Sequence, residues 1–284
     1  MNNVFKTALL LTFLTLILLI FGQMIGGRSG VMFAFFLAAV MNLSAYWFSD
    51  KIVLAAYRAK PLEEDHAPEL FAMVRDLAEQ AQVPMPRLYY VRSATPNAFA
   101  TGRDPEHAVI VVTDGIVKLL SAEEIRGVLA HELSHVIHRD TLIASVAATL
   151  AGAIGMIASM LRWIFIFGGT SRDREDSNPF FLLIMSIIMP IAAVVVQMAV
   201  SRSREFAADE RAAHLCGNPL YLASALAKLD SEAGRIPLRQ AEPSTAHLFI
   251  VNPLRKGVIS RLFSTHPPTT ERIRRLESMT EGNL

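Results

Sequence analysis

The sequence predicts a mainly α-helical protein with a small β-hairpin or sheet, in which four transmembrane helices accompany a polar domain that is divided along the chain. Hydrophobic residues make up 52% of the 284 residues and charged residues 19%, against roughly 25% charged in a typical soluble domain. The hydrophobic residues cluster in four long blocks, which indicates membrane helices rather than a disordered or fibrous chain. The net charge of +1 does not indicate a nucleic-acid-binding protein.

The first two blocks, residues 7–25 and 31–48, contain no charged side chain. A helix rises about 1.5 Å per residue, so the first block spans roughly 28 Å, close to the ~30 Å hydrocarbon core of a bilayer. Only residues 26–30 separate the two blocks, so we expect a helical hairpin. A cleaved signal peptide is the alternative for the first block, but the block is too long and no A-x-A cleavage site follows it.

The third block, residues 141–168, carries one charge, Arg162, and the fourth, residues 180–200, carries none. Lys and Arg residues near the block ends are concentrated on the side that holds both termini. The positive-inside rule therefore places both termini and both polar regions in the cytoplasm. The predicted organisation is a membrane hairpin (1–48), the first half of a cytosolic domain (49–140), a second membrane hairpin (141–200) and the second half of that domain (201–284).

The polar regions show the patterns of globular elements. Residues 61–82 have an amphipathic pattern that predicts a helix. Residues 87–92 and 108–113 are predicted strands, and the link between them, which contains Pro and Gly, suggests a hairpin with a wide loop. Ser121 and Glu124 have the spacing of a capping box that opens a further helix.

The helix that follows Ser121 carries the motif His131-Glu132-Leu133-Ser134-His135. Histidines four residues apart project from one face of a helix, so both imidazoles can reach the same metal ion. Glu132 lies off that face, where a carboxylate can hold a water on the metal and accept its proton. The motif therefore predicts a metal site with the chemistry of a zinc hydrolase.

Catalytic zinc usually has three protein ligands, so a third ligand must come from elsewhere in the chain. The metzincin pattern fails, because position 138 holds His instead of Gly and position 141 holds Thr. Gluzincins use a glutamate from a second helix, followed four residues later by an aspartate, and Glu205 and Asp209 have this spacing. We expect Glu205 to be the third ligand and Asp209 to hydrogen-bond the free nitrogen of a ligand histidine. His138 is expected to lie outside the ligand set.

Four segments support a family resemblance. They are NAFATG (97–102), HELSHVIHRD (131–140), SRSREFAADERA (201–212) and LFSTHPPTTERI (262–273). In this order, among four apolar blocks, they resemble the HtpX family of bacterial membrane-embedded zinc metalloproteases, distant relatives of the eukaryotic CAAX prenyl endopeptidases. The resemblance covers essentially the whole chain. It implies a multi-pass inner-membrane endopeptidase with a gluzincin-like cytoplasmic domain, acting in stress-linked protein quality control.

The resemblance also implies roles for single residues. It implies one Zn²⁺ ion bound by His131, His135 and Glu205, with Glu132 as the catalytic base. It assigns a histidine in the motif around His266 a role as hydrogen-bond donor to the oxyanion or the substrate carbonyl, which fits the need for a donor beside the developing charge.

A further prediction concerns Asn97, at the start of the stretch 97–100. We expect this stretch to offer an exposed edge that pairs with the backbone of an extended substrate. An ordinary Asx turn is the alternative. The expected partners are membrane-protein and unfolded polypeptide substrates, the lipid bilayer and other quality-control proteases, with no nucleic acid among them.

Two other classes of membrane protein share parts of this pattern. A site-2-type intramembrane protease places its H-E-x-x-H motif within a span, but here charged residues, among them Glu123 and Arg139, flank the motif. A metal transporter, or a scaffold with a structural zinc site, is the alternative outside the enzymes. The four blocks contain no acidic residue and no histidine, so they show no ion path through the bilayer.

Overall fold

The computed structural model describes residues 3–151, 154, 202–233, 248–250 and 267–281. The described helices are α1 (Asn3–Ala56), α2 (Pro68–Ala81), α3 (Asp114–Leu119), α4 (Ala122–Ile137), α5 (Asp140–Ala151), α6 (Arg202–Cys216), α7 (Leu220–Ala233) and α8 (Thr269–Glu281). Four strands are β1 (Lys60–Pro61), β2 (Arg87–Val91), β3 (Ala98–Thr101) and β4 (Val109–Thr113). Short 3₁₀ turns lie at Glu64–His66 and Pro105–His107.

Helix α1 is folded back on itself, as the short separation of the first two apolar blocks predicts. The break lies at Gly27, whose φ of 54° and ψ of −136° are not helical, and a positive φ favours glycine. The two arms then pack side by side. The Asn42 amide donates a hydrogen bond of 2.9 Å to the Thr15 hydroxyl, and a Cβ on Gly22 would lie 2.5 Å from the carbonyl oxygen of Gly30.

The membrane prediction is only partly supported. Within the described residues, Gly26–Ala56 is long and apolar enough to cross a bilayer, whereas Phe5–Ile20 is shorter. Helix α5 contains the start of the third apolar block and packs on the α1 arms through Val146 and neighbouring apolar residues. The rest of that block and the whole fourth block lie outside the described residues, so four membrane spans stay a prediction.

The sheet corrects the predicted hairpin between residues 87–92 and 108–113. The strand order is β1-β2-β4-β3, and β2 and β4 pair in parallel, with Arg87 opposite Val109. The prediction was wrong because the link is long enough to contain a strand of its own. Strand β3 lies in this link and pairs antiparallel with β4, so the chain reverses twice and β4 runs in the same direction as β2. The hairpin of this sheet is therefore β3–β4.

Helix α4 lies at the centre of the polar domain. Its predicted capping box is confirmed, since the Ser121 hydroxyl accepts from the Glu124 backbone N–H and the Glu124 carboxylate accepts from the Ser121 backbone N–H. Helix α7 crosses α4 closely at Gly127, where a Cβ would lie 2.7 Å from the Leu222 nitrogen. The predicted amphipathic helix is α2, which packs its apolar face on the same core. This packing buries α4 on most sides, so its polar side chains must find partners within the protein.

Candidate metal centre

Three predicted ligands meet where α4 lies against α6. His131 and His135 are one turn apart on α4, and their Nε2 atoms lie 3.2 Å from each other. Glu205, on α6, places one carboxylate oxygen 3.8 Å from His131 Nε2 and the other 3.5 Å from His135 Nε2. All three ligand atoms lie within 4.8 Å of one another. The structure thus brings together residues that are about seventy positions apart in the sequence.

The spacing of these atoms fits a zinc ion. Zinc binds imidazole nitrogen and carboxylate oxygen at about 2.0–2.2 Å in a tetrahedral arrangement, which separates neighbouring ligand atoms by roughly 3.3–3.5 Å. The observed distances are close to that value: 3.2 Å between the two imidazole nitrogens, and 3.5 and 3.8 Å from His135 and His131 to the two different oxygens of Glu205. Two histidines and one carboxylate also form the three-ligand set of catalytic zinc, which leaves a fourth position open.

The charges around the site favour a cation. Burial by itself lowers the pKa of His135, but the hydrogen bond to Asp140 and the charges of Glu205 and Glu132 raise that pKa to about 9. The carboxylates therefore stabilise positive charge at the point where the two imidazoles meet. A bound divalent cation would provide that charge without a proton on either histidine.

Glu132 lies beside the three ligands and outside their set. The Ala100 backbone N–H, on strand β3, donates a hydrogen bond of 2.8 Å to its Oε2 atom. Burial raises the pKa of Glu132, the two histidines and the Ala100 N–H oppose that rise, and the charge of Glu205 adds to it. The net pKa is raised, which brings the carboxyl group closer to the range in which it can both accept and donate a proton.

His131 lies against two charged residues, Asp209 and Arg272. Its Nδ1 atom lies 3.0 Å from Asp209 Oδ1 on α6. Arg272, on α8, donates to both carboxylate oxygens of Asp209, at 2.8 and 2.7 Å, and to the carbonyl oxygen of Ile250 at 3.1 Å. Burial acts to raise the pKa of Asp209, but the charge and hydrogen bonds of Arg272 lower it. Asp209 therefore stays ionised as an acceptor for His131.

His135 has an equivalent arrangement on its other side. Its Nδ1 atom lies 3.2 Å from Asp140 Oδ2, at the first residue of α5. Arg204, the residue before Glu205 on α6, donates to Asp140 Oδ1 at 3.2 Å. Each histidine thus faces a carboxylate at Nδ1 and the other ligands at Nε2.

The pocket over the ligands is bounded by three parts of the fold. Strand β3 contributes Phe99 and Ala100, helix α5 contributes Thr141 and Ala144, and the segment 248–250 forms the remaining apolar wall. The hydroxyl of Thr141 is buried and has no hydrogen-bond partner within the part of the chain that the structure describes. The walls of the pocket are therefore largely apolar, whereas its base is formed by the charged residues of the candidate metal site.

The structure changes the prediction for Asn97. The expected exposed edge is not exposed, because all residues from Asn97 to Thr101 are buried. The Asn97 amide donates to the Leu248 carbonyl at 3.4 Å and accepts from the Ile250 N–H at 3.2 Å. Its side chain thus fixes the pocket wall and is not available to a substrate. Strand β3 nevertheless lies at the edge of the described sheet.

Two further histidines, His266 and His138, were considered in the sequence analysis. His266 lies outside the described residues, so its role as a donor stays a prediction. His138 is exposed at the C-terminal cap of α4, and among the described residues it is not part of a group that could hold a metal ion.

Sequence reasoning missed Asp140, Arg204 and Arg272. Asp140 ends the segment HELSHVIHRD and Arg204 precedes Glu205, so their closeness to the ligands along the chain was a usable signal. Arg272 lies in the segment LFSTHPPTTERI, but nothing in the sequence linked it to Asp209, which is 63 residues away along the chain.

Three comparisons relate this chain to known proteins. Residues 64–280 match the model of "Peptidase family M48". The chain is 55% identical over 279 residues to a "Protease HtpX homolog" of Syntrophotalea carbinolica, covering 98% of this chain and 99% of the relative. It is 51% identical over 281 residues to "Protease HtpX" of Legionella pneumophila, covering 98% and 100%. The crystal structure of Ste24p from S. mikatae is similar with a TM-score of 0.48 and 22% identity, over 85% of this chain and 57% of that one.

The family match covers most of the chain, and the curated relatives match it at about half of all positions from end to end. It also includes α4, α6 and α8, which carry the three candidate ligands and the residues next to them. The chain therefore belongs to peptidase family M48 and is a membrane metalloprotease of the HtpX type.

Proposed function

We propose that this protein is a zinc-dependent endopeptidase that cleaves membrane proteins and unfolded polypeptides at the cytoplasmic face of the bacterial inner membrane. The observation that carries the proposal is the convergence of His131, His135 and Glu205 within 4.8 Å, with Glu132 beside them. A closed structural zinc site would have four protein ligands. Among the described residues the group has three members, the number of protein ligands that a catalytic zinc has.

The chain's own residues divide the chemistry among them. A zinc ion held by His131, His135 and Glu205 would supply Lewis-acid activation of water and of the scissile carbonyl. Glu132 accepts a proton from the attacking water and later donates it to the leaving amine. The Ala100 N–H fixes one oxygen of that carboxylate at 2.8 Å, so the other oxygen is free to face the reacting atoms. His266 is proposed as the further donor to the oxyanion on the grounds of its motif.

Although the residues of strand β3 are buried, the part of its edge that borders the pocket is proposed as the surface along which the substrate binds. It lies at the edge of the described sheet and borders the pocket through Phe99 and Ala100. An extended peptide that pairs with such an edge is held through its backbone, so few of its side chains are selected. This mode suits an enzyme that acts on many unfolded or misassembled chains, including substrates produced under heat or envelope stress.

The membrane arrangement is also a proposal. Four spans would place the two halves of the catalytic domain, residues 49–140 and 201–284, on the same face of the bilayer. The distribution of Lys and Arg selects the cytoplasm as that face. The contact of α5 with the α1 arms, and its contribution to the pocket, support a catalytic domain that is anchored directly on the membrane helices.

Substitution of Glu132 tests the proposed function. Glu132→Gln retains the shape of the side chain but cannot accept a proton, so proteolysis of casein by the detergent-purified protein is expected to fall by about 10²–10⁴-fold. Zinc content should be unchanged, because Glu132 is not a ligand. Asp76→Asn, which removes an exposed carboxylate paired with Arg126, should leave both quantities at the wild-type level. Substantial turnover by zinc-loaded Glu132→Gln would contradict the role of Glu132.

A further inference from the structure

Asp140 lies at a junction between the metal centre and the helix that enters the third apolar block. The residue is 6% exposed. One carboxylate oxygen faces His135 Nδ1 at 3.2 Å, and the other accepts from Arg204 Nη1 at 3.2 Å. The carboxylate therefore joins the end of α4, the start of α5 and the first turn of α6. Nothing in the proposed reaction uses Asp140 or Arg204 directly.

Asp140 and Arg204 are placed near His135 much as Asp209 and Arg272 are placed near His131. In both cases an aspartate oxygen lies near the Nδ1 atom of a candidate ligand histidine and an arginine donates to the same carboxylate. The two sites differ in that Arg272 Nη2 also lies 3.5 Å from His131 Nδ1 and 3.4 Å from His131 Nε2. A carboxylate at Nδ1 favours the tautomer with its proton on that nitrogen, which leaves the Nε2 lone pair for a metal ion. It also fixes the plane of the ring and makes Nε2 more basic.

Asp140 is held in place by its position in the chain as well as by Arg204. Helix α4 ends at Ile137, and the chain turns through only two residues before α5 begins at Asp140. Arg139 in this turn has a φ of 56°, in the left-handed region that non-glycine residues seldom occupy. Asp140 is the first residue of α5, so a displacement of that helix would move Asp140 relative to His135. The two-residue turn is too short to compensate for such a movement.

We infer that Asp140, which is hydrogen-bonded to Arg204, is a positioning residue for His135. Through Asp140, the metal affinity of the site depends on how α5 packs against α6. The inference rests on the proposed metal site. Helix α5 packs on the α1 arms through Leu142, Ile143 and Val146. The metal centre is therefore connected through one carboxylate to the part of the molecule that is proposed to lie in the membrane.

The test measures zinc affinity rather than proteolysis. The purified full-length protein is stripped of metal, and its Zn²⁺ dissociation constant is determined by competition with a chromophoric chelator. Asp140→Asn is expected to raise that constant about 10–100-fold, the usual effect of removing a carboxylate behind a ligand histidine. Asp76→Asn, the matched carboxylate outside the site, should bind zinc as the wild type does. The visible spectrum of the Co²⁺-loaded protein should change in Asp140→Asn and not in Asp76→Asn.

A second variant distinguishes a weakened metal site from a general loss of folding. Asp140→Glu retains the charge that pairs with Arg204, but its longer side chain displaces the carboxylate from His135 Nδ1, so zinc binding several-fold weaker than in the wild type is expected. Metal-free melting temperatures show whether each variant is folded: Asp140→Glu should melt near the wild type, whereas Asp140→Asn should melt lower, because it removes the charge that pairs with Arg204. Wild-type zinc affinity and an unchanged cobalt spectrum in both Asp140 variants would overturn the inference while leaving the proposed function intact. A wild-type protein that binds no stoichiometric zinc would instead overturn the proposed function.

Discussion

At the scale of single residues, Glu124 shows how a buried carboxylate away from the metal centre is surrounded by donors. It is 6% exposed and accepts hydrogen bonds from Lys228 Nζ at 2.8 Å, Ser224 Oγ at 2.6 Å and the Ser121 N–H at 2.8 Å. Burial acts to raise the pKa of Glu124, but these three bonds outweigh it and the pKa is lowered.

The lowered pKa of Glu124 predicts an acid-sensitive contact. A carboxyl group whose pKa is lower in the folded than in the unfolded state stabilises the fold above its unfolded pKa, and this contribution is lost as the pH falls through the folded pKa. Glu124→Gln is therefore expected to lower the melting temperature at pH 7. It should also flatten the decline in melting temperature below about pH 4.5, the unshifted pKa of Glu. Parallel pH–melting curves for variant and wild type would contradict this account.

Local sequence patterns predicted the residues that act within one element. The capping box and the histidine pair depend on spacings of three and four residues within α4, so both could be recognised before the structure was known. The order of β2, β3 and β4 could not, because strand pairing depends on contacts across the whole link. The Arg272–Asp209 contact was also invisible for this reason, since it joins α8 to α6 through the core.

At the scale of elements, Arg272 attaches the C-terminal helix α8 to the metal centre. The side chain is 1% exposed and its pKa is raised further above the ordinary range, because Asp209 outweighs the opposing effect of burial. Arg272→Ala would leave the Asp209 charge buried without its partner, and breaking such a pair on one side costs about 3–5 kcal/mol. A markedly lower melting temperature and reduced zinc content are expected.

The control for Arg272→Ala is an exposed ion pair between α2 and the 3₁₀ turn that precedes it. Arg75 donates to Glu64 at 2.8 Å with both side chains about half exposed, and such surface pairs contribute about 0–1 kcal/mol. Arg75→Ala should therefore melt close to the wild type. Equal effects of the two substitutions on the melting temperature would show that Arg272 does not anchor α8.

At the scale of the whole molecule, the described membrane-facing and catalytic parts are packed together rather than joined by a linker. Thr101 on β3 and Ser145 on α5 are hydrogen-bonded through their hydroxyls at 2.6 Å. Val53 and Leu54 of α1 share a core with Val109 and Val111 of the sheet. The apolar blocks alone predicted the membrane helices, but the sequence contained no pattern that indicates these contacts between the two parts.

This arrangement predicts that both polar regions lie on one side of the membrane. Alkaline phosphatase, which is active only in the periplasm, should be inactive when fused after Asp50 or after Leu284 and active when fused near Asp173. The expected orientation follows from the excess of Lys and Arg on the side of the termini. The opposite pattern of activity would show that the topology is inverted. Activity at only one of the first two positions would show that the two halves of the proposed site lie on opposite sides of the membrane.

The most direct test of the central claim is the zinc content of the purified protein and of its single variants, measured by elemental analysis after removal of loosely bound metal. The account predicts one zinc ion per wild-type chain, a ratio retained in Glu132→Gln and lost in His131→Ala, His135→Ala and Glu205→Ala. The loss is expected because each of these three side chains supplies one of the converging ligand atoms. Full zinc occupancy in Glu205→Ala would contradict the ligand set on which the proposed function depends.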